Sequence, residues 1–399
     1  MHFVFLTSLV SCGPPESGYE IANAAIIDGF RRAGHIVTEI GFKWPKRALS
    51  DPDNTVCLGE VELKTEGASG SQKVQWLLKA VANSITFASA KLRVVSENEV
   101  LSAIERAAQL NRKVDGVILN GVTLAGAFEK LLTAKPYIFV AHNVEHVSAQ
   151  QNADDAAGAV EQLMYRREAK YLQGLEARLC AKAQHVLTLT DEDRQGLNIA
   201  DGERSTTVAL VTPADAENAN ADHPIAFDIG LIGSWTWTPN RIGLEWFLQK
   251  VVPQLPEEIS IAVAGDMPRG LAQREKRVLF LGRVLDAKEF CRQNRVIALT
   301  ARAGTGVQLK TIEAFEMGLP CVATPSSLRG IKNIPSNVLV ANDAKTFAMA
   351  LAAQAKSHWL GELPKSDGLA FRQAQIEQMD RAIAKAVSVF ADARARGSA

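Results

Sequence analysis

Residues 303–324 read AGTGVQLKTIEAFEMGLPCVAT, and RVIALT at 295–300 comes just before them. RVIALT is a short apolar run that suits a buried strand. Gly304 and Gly306 carry no Cβ, so the backbone there can approach a ligand closely. A helix is expected from about 307 to 317, with Gly318 just past its end and Pro320 as a stop. Cys321 then restarts a strand. A glycine loop that feeds a helix N-terminus presents unpaired N–H groups and the positive end of a dipole, which suits a phosphate.

Lys310 and Glu313 lie three residues apart in that helix and share one face. Leu309, Ile312 and Phe315 form a separate apolar face. A lysine near a phosphate site can neutralise a diphosphate, and a carboxylate one turn on can take both hydroxyls of a ribose. That division of labour fits a nucleoside diphosphate. The same spacing also fits an ordinary ion pair on a solvated face, worth a few tenths of a kcal/mol.

The rest of the chain has the composition to support such a site. It has 399 residues, and at about 100–200 residues per domain this suggests two domains. Hydrophobic residues are 47% and charged residues 22%, as in globular proteins. Lys+Arg and Asp+Glu both total 44, which argues against a protein that coats nucleic acid. Five cysteines are scattered without a CxxC pair, a pattern of reducing compartments rather than of a disulfide framework. No apolar run is long enough to span a membrane. LVSC at 9–12 looks like a lipoprotein cleavage box, but MHFVFLTSLV lacks a basic n-region, so a first strand is expected there.

In chain order, residues 2–9 predict a strand, SCGPPESG a loop, 19–33 a helix and HIVTEIGF a second strand. This opens a parallel α/β unit. No GxGxxG follows the first strand, so the dinucleotide fingerprint is absent. Residues 44–71 read as a polar loop excursion. A helix near 72–88, a strand KLRVVS from Lys91 and a helix over 97–113 follow. DGVILNG and PYIFVAHN are continuous apolar runs, as in strands covered on both faces. The second ends in HNVEH, residues 142–146, at the carboxyl end of a strand, where open α/β sheets bind ligands. HNVEH also matches the H-x-x-E-H metallopeptidase pattern. However, His142 directly ends a strand and no acidic helix completes a site, so His142 is expected to be a hydrogen-bonding group facing a cleft and His146 to be structural. A long charged helix over 156–183 precedes the strand HVLTLT. PADAENANADHP at 213–224 has linker composition. A second parallel α/β pattern then begins, with strands FDIGLIG, ISIAVAG, RVLFLG, RVIALT, CVAT and NVLVAN. A final helix covers about 368–390.

GSWTWTPN at 233–240, ARAGTGVQLKTIEAFEMGLPCVAT at 301–324, and HNVEH with the Arg-rich helix leading to HVLTLTDEDRQGL together resemble the retaining family 4 glycosyltransferases of bacterial polysaccharide assembly. The resemblance covers nearly the whole chain. It implies a GT-B fold: α/β, with two Rossmann-like doubly wound domains facing across a cleft. The N-terminal acceptor-side domain would cover 1–213, the nucleotide-sugar-binding domain 225–367, and a helix over 368–399 would cross back.

By the same resemblance, Lys310 and Arg302 face the diphosphate, Glu313 the ribose, and Gly306 the phosphates through its backbone. Gly18 belongs to a loop over the leaving group, and His142 touches the donor sugar. Ser234, Asn240 and Thr305 complete the donor site, with His142, Lys310 and Glu313 as the catalytic set. The E-x7-E pattern of the family is incomplete: Glu313 is its second acid, but the first position is Thr305. No DxD-like motif stands at a suitable place, so neither a metal nor a cofactor beyond the donor is expected.

The implied activity is a hexosyltransferase type of reaction with retention. It would move sugar from a nucleotide-diphospho-sugar to a glycan or lipid-linked acceptor in cell-surface polysaccharide synthesis. The implied location is the cytoplasm, with peripheral contact at the inner membrane face left open and no nucleic-acid partner. The alternatives are a nucleotide-sugar epimerase on the same scaffold, which needs a facing pair of cleft acids, and a non-catalytic sugar-binding protein.

Overall fold

The computed structural model describes residues 1–15, 17–63, 69–156, 158–200, 203–213, 224–268, 270, 276–363 and 366–397. Most of the linker expected over 213–224, and part of the 44–71 excursion, lie outside the described residues.

The described residues form two units, one of residues 1–210 and 377–399, the other of residues 211–376. The first holds a sheet of β1 (His2–Leu9), β2 (Ile36–Lys43), β3 (Thr55–Glu60), β4 (Gly116–Asn120), β5 (Tyr137–Ala141), β6 (His185–Thr188) and β7 (Ser205–Thr207). Its order is β3-β2-β1-β4-β5-β6-β7 and every pairing is parallel. The second holds β8 (Phe227–Ile232), β9 (Ile261–Ala264), β10 (Val278–Gly282), β11 (Asn294–Leu299), β12 (Cys321–Ala323) and β13 (Val338–Val340). Here the order is β10-β9-β8-β11-β12-β13, again all parallel.

Parallel strands need crossovers, and the helices between them cover the sheet faces. Hence β5 and β9 are buried along their whole length. The sequence signals this as unbroken apolar runs rather than alternation. Helix starts are marked locally too. Ser17 opens the helix Gly18–Arg32 with a capping box: its Oγ accepts from the Glu20 N–H, and the Glu20 carboxylate accepts from the Ser17 N–H.

Two expectations from the sequence fail. KLRVVS is not a strand: residues Phe87–Leu92 form a short helix, capped by the Thr86 hydroxyl. Tertiary contacts override the β-forming residues, because Lys91 reaches inward to the Leu63 carbonyl (2.6 Å) and lies over the Trp76 ring (4.8 Å). The excursion over 44–71 is not all loop, since it contributes edge strand β3, paired with β2.

The last helix, Gly368–Gly397, starts within the second unit, where Phe371 meets Phe315 edge to face at 5.4 Å. From Glu377 onward it groups with the first unit. There Phe390 packs on Phe3 at 5.5 Å, and Arg394 pairs with Asp115 at 2.7 Å. Among the described residues no helix is long and apolar enough to cross a membrane.

Candidate functional site

In the second unit the sheet reverses its order of growth between β8 and β11. Doubly wound sheets bind ligands beyond the strand ends at such a point. β8 ends at Ile232 and runs into GSWTWTPN; β11 ends at Leu299 and runs into the glycine loop. The two motifs singled out in the sequence are therefore neighbours because of topology.

Trp235 follows β8 and is buried. It is 1% exposed, and its Nε1–H donates to the Ala264 carbonyl at 2.8 Å. The Lys310 ammonium lies over its ring, 5.4 Å from the centroid, a cation–π arrangement. Lys310 also donates to Asn240 Oδ1 at 3.3 Å, and Asn240 Nδ2 donates to the Ser234 carbonyl at 3.1 Å. Asn240 can do this because it stands in the first turn of the helix Thr238–Trp246, just after Pro239.

Gly304 and Gly306 take φ of +92° and +76°, which a residue with a Cβ rarely adopts. A Cβ on Gly304 would also sit 3.1 Å from Pro239 Cβ. The helix they feed, Leu309–Glu316, has no side-chain cap, so its first N–H groups are available to an anion.

The ion pair that the Lys310–Glu313 spacing allowed does not form. Among the described residues no carboxylate pairs with Lys310. Burial alone lowers its pKa to about 8. A desolvated ammonium without a counter-ion is costly, and an incoming anion relieves that cost. Glu313, one turn on, is half-buried, and after burial its charge is the next cause raising the Cys291 thiol's pKa.

Arg302 is placed elsewhere. Its guanidinium lies over Trp246 at 4.5 Å and donates to the Asn342 carbonyl at 2.8 Å. The arginine that reaches the glycine loop is Arg329, which donates to the Gly304 carbonyl and has no carboxylate partner among the described residues. Nothing in the sequence pattern pointed to Arg329, apart from its place shortly after the end of β12. Ser234, Asn240, Lys310 and the loop carrying Thr305 and Gly306 thus stand together. Trp237 beside them is 49% exposed, whereas Trp246 packs against Phe347.

In the first unit the reversal falls between β1 and β4. A hydrogen-bonded cluster fills the space there. Asn120 Nδ2 donates to Asn23 Oδ1 (2.7 Å) and to the Tyr19 hydroxyl (3.2 Å), and Tyr19 bonds Thr7 (2.8 Å). His142 Nε2 is 2.8 Å from Asn120 Oδ1, which can only accept, so Nε2 carries the proton. Burial lowers the His142 pKa to about 4, so the ring is neutral and its Nδ1 is an acceptor. Asn120 is legible in the sequence as the polar residue that closes the apolar strand β4. Gly18 is the exposed first residue of its helix. His146 turns away to Glu176, 2.6 Å from Nδ1, so the two histidines of HNVEH have different partners. HNVEH itself straddles a strand end and the start of the helix Glu145–Asp155.

Residues 226–356 match the family described as glycosyl transferases, group 1. The second unit is a glycosyltransferase domain. The chain is accordingly an enzyme of the transferase class, and its two parallel α/β units have the GT-B architecture. Three solved structures show the same fold. Sucrose-phosphate synthase from Thermosynechococcus elongatus is 14% identical, with 100% of this chain and 99% of that chain covered and a TM-score of 0.62. Anabaena HepE in complex with UDP is 14% identical, with 100% of both chains covered and a TM-score of 0.54. WaaG, a glycosyltransferase involved in lipopolysaccharide biosynthesis, is 13% identical, with 95% and 94% covered and a TM-score of 0.54. At such identities the likeness concerns the fold. No curated protein sequence matches the chain.

Proposed function

We propose that this glycosyltransferase moves a hexose, with retention, from a nucleotide-diphospho-sugar to a glycan or lipid-linked saccharide. The observation that carries the reading is the half-buried Lys310 ammonium, without a carboxylate partner among the described residues, beside an uncapped helix N-terminus and a glycine loop. As the bond from the anomeric carbon to the β-phosphate oxygen breaks, charge builds on the leaving diphosphate. Lys310, Arg329 and the loop N–H groups stabilise that charge in a site poor in water. Glu313 takes the ribose hydroxyls, and Ser234, Asn240 and Thr305 contribute to donor binding. Arg302 joins only by leaving Asn342.

In the first unit, His142 offers a neutral ring to the sugar hydroxyls, and Gly18 acts from the first turn of its helix rather than from the loop before it. The acceptor oxygen takes the anomeric carbon, and its proton passes to the leaving phosphate. No enzymic nucleophile, metal or further cofactor is invoked. Because HepE is described with UDP and with UDP-glucose, uridine diphosphate sugars are the first donors to test. Work at the inner face of a membrane, in assembly of a surface polysaccharide, fits a lipid-linked acceptor.

The test is donor hydrolysis or transfer by Lys310→Ala and Glu313→Ala. Turnover should fall at least about a hundredfold in Lys310→Ala, as when a transition-state electrostatic contact is lost, and donor affinity should fall about tenfold or more in Glu313→Ala, the loss of charge-assisted hydrogen bonds to the ribose. Wild-type turnover and nucleotide affinity in both variants would refute the assignment.

A further inference from the structure

The chain between β2 and β3 supplies no residue to the sites described above, but it holds the loop that follows β1. Four consecutive carbonyls of that loop are bound from residues 47–50. Arg47 Nη2 donates to the carbonyls of Cys12 and Pro14, the second at 2.7 Å. The Ser50 N–H donates to the Ser11 carbonyl at 3.0 Å, and the Ser50 hydroxyl to the Gly13 carbonyl at 3.2 Å. Arg47 Nη1 also reaches Glu20 Oε1 at 2.8 Å. The other oxygen of Glu20 completes the capping box of the helix Gly18–Arg32 with Ser17. One guanidinium thus joins the loop to the first turn of the helix it feeds. Glu39 of β2, itself buried, accepts from the Ser11 N–H and hydroxyl at 2.9 and 3.0 Å.

The turn that aims Arg47 is strained. Pro45 and Lys46 stand at its centre, and the Arg47 N–H closes it on the Trp44 carbonyl at 3.3 Å. Lys46 takes a φ of +65°, where glycine or asparagine is the usual choice. Such a residue persists where its surroundings over-determine it. Here the Lys43 ammonium donates to the Arg47 carbonyl at 3.2 Å and pairs with Glu60 at 3.1 Å. A segment that only joined two strands could relax at Lys46. One that must hold a guanidinium in one place cannot.

The helix start that Arg47 holds carries Gly18 and Tyr19. The Tyr19 hydroxyl bonds Thr7, and its ring lies 4.9 Å from that of His142. We propose that Arg47 is a positioning residue for sugar transfer. It fixes the loop after β1 and the first turn that carries Gly18, so that neither has to be ordered when the donor arrives. The proposal rests on the reading above in which Gly18 acts in the reaction.

The experiment compares the full chain with Arg47→Ala, Arg47→Lys and Ser50→Ala. Hydrolysis of UDP-glucose, UDP-galactose and UDP-N-acetylglucosamine gives kcat and KM. Titration calorimetry with UDP gives Kd and the number of intact sites, and hydrogen exchange read by mass spectrometry follows residues 8–13. Arg47→Ala should lower kcat per UDP site about tenfold or more, as when a reacting group is slightly misplaced. It should speed exchange over residues 8–13 by about tenfold. The Kd for UDP should stay within about twofold, because the groups assigned to the nucleotide all belong to the second unit. Arg47→Lys keeps the charge but not the planar fork, so it should recover part of both changes. Ser50→Ala removes one hydrogen bond and should show the same two changes at about threefold, which keeps the test open should Arg47→Ala fail to fold.

Unchanged exchange in Arg47→Ala, or a kcat per UDP site within about twofold of the wild type, overturns the proposal. So does a fall in kcat that only tracks the loss of UDP sites, the mark of a residue that merely keeps the chain folded. If the wild type binds UDP but hydrolyses none of the donors, the donor reading fails instead, and the exchange arm decides whether Arg47 holds the loop.

Discussion

Replacing Lys310 by methionine should have two effects of opposite sign. In the free protein the ammonium is desolvated with no counter-ion among the described residues, and its pKa falls from 10.5 to about 8. That drop corresponds to roughly 3 kcal/mol of unfavourable burial. Methionine fills similar space without the charge, so the empty protein should gain up to about 3 kcal/mol at pH 7, read as a rise of several degrees in Tm. The sign follows from linkage. Between about pH 8 and 10.5 the unfolded chain holds the proton that the folded chain has released, so wild-type stability rises with pH there. The advantage of the variant should therefore be complete below pH 8 and vanish by about pH 10.5.

Nucleotide binding should move the other way. A unit charge about 4 Å from a phosphate oxygen is worth about 4 kcal/mol at an effective dielectric of 20. Less the residual desolvation, the variant should lose on the order of 2–3 kcal/mol, or about 30- to 150-fold in Kd for UDP. Calorimetry in buffers of different ionisation enthalpy adds a third readout. An anion that restores the charge of Lys310 should draw in about half a proton per wild-type site at pH 8, and about a tenth at pH 7. If the variant binds UDP as the wild type does and its Tm does not rise, Lys310 is neither strained nor a nucleotide ligand.

Two further outcomes follow from the same contacts. Arg329→Gln should weaken UDP binding about tenfold or more, as when a charge-assisted contact to a diphosphate is lost, while Arg302→Gln should leave it nearly unchanged so long as Arg302 stays on Asn342; isothermal titration ranks the two. Glu145→Gln should stabilise the chain above pH 7 and not below about pH 4.5. A carboxyl whose folded pKa is raised to about 7 contributes stability that is full below its unfolded pKa and is lost as pH rises through 7, so the gain is roughly 3 kcal/mol at most, followed by denaturant unfolding at pH 4.5 and pH 8.

Most of the scaffold was legible because its signals are local. Unbroken apolar runs such as PYIFVAHN mark strands covered on both faces, and a glycine loop before a helix marks an anion site wherever it occurs. KLRVVS was misread because its local preference is for strand, while its structure depends on where Lys91 and Trp76 are carried by the surrounding chain. The glycosyltransferase motifs likewise named Ser234, Asn240 and Lys310 without revealing that they touch.

By itself, then, the sequence determined the two parallel α/β units, the glycine loop and the residue types that suit a diphosphate. Tertiary structure decided which charges are paired. Lys310 meets Asn240, 70 residues away in sequence, and not Glu313 one turn along, while Arg329 and not Arg302 reaches the loop. Long cationic side chains can choose among several partners, and backbone propensity does not select one. Desolvation does, and it depends on what distant strands bring alongside; the same burial leaves Lys310 half-ready to lose its proton near pH 8 and Glu145 half-ready to gain one near pH 7.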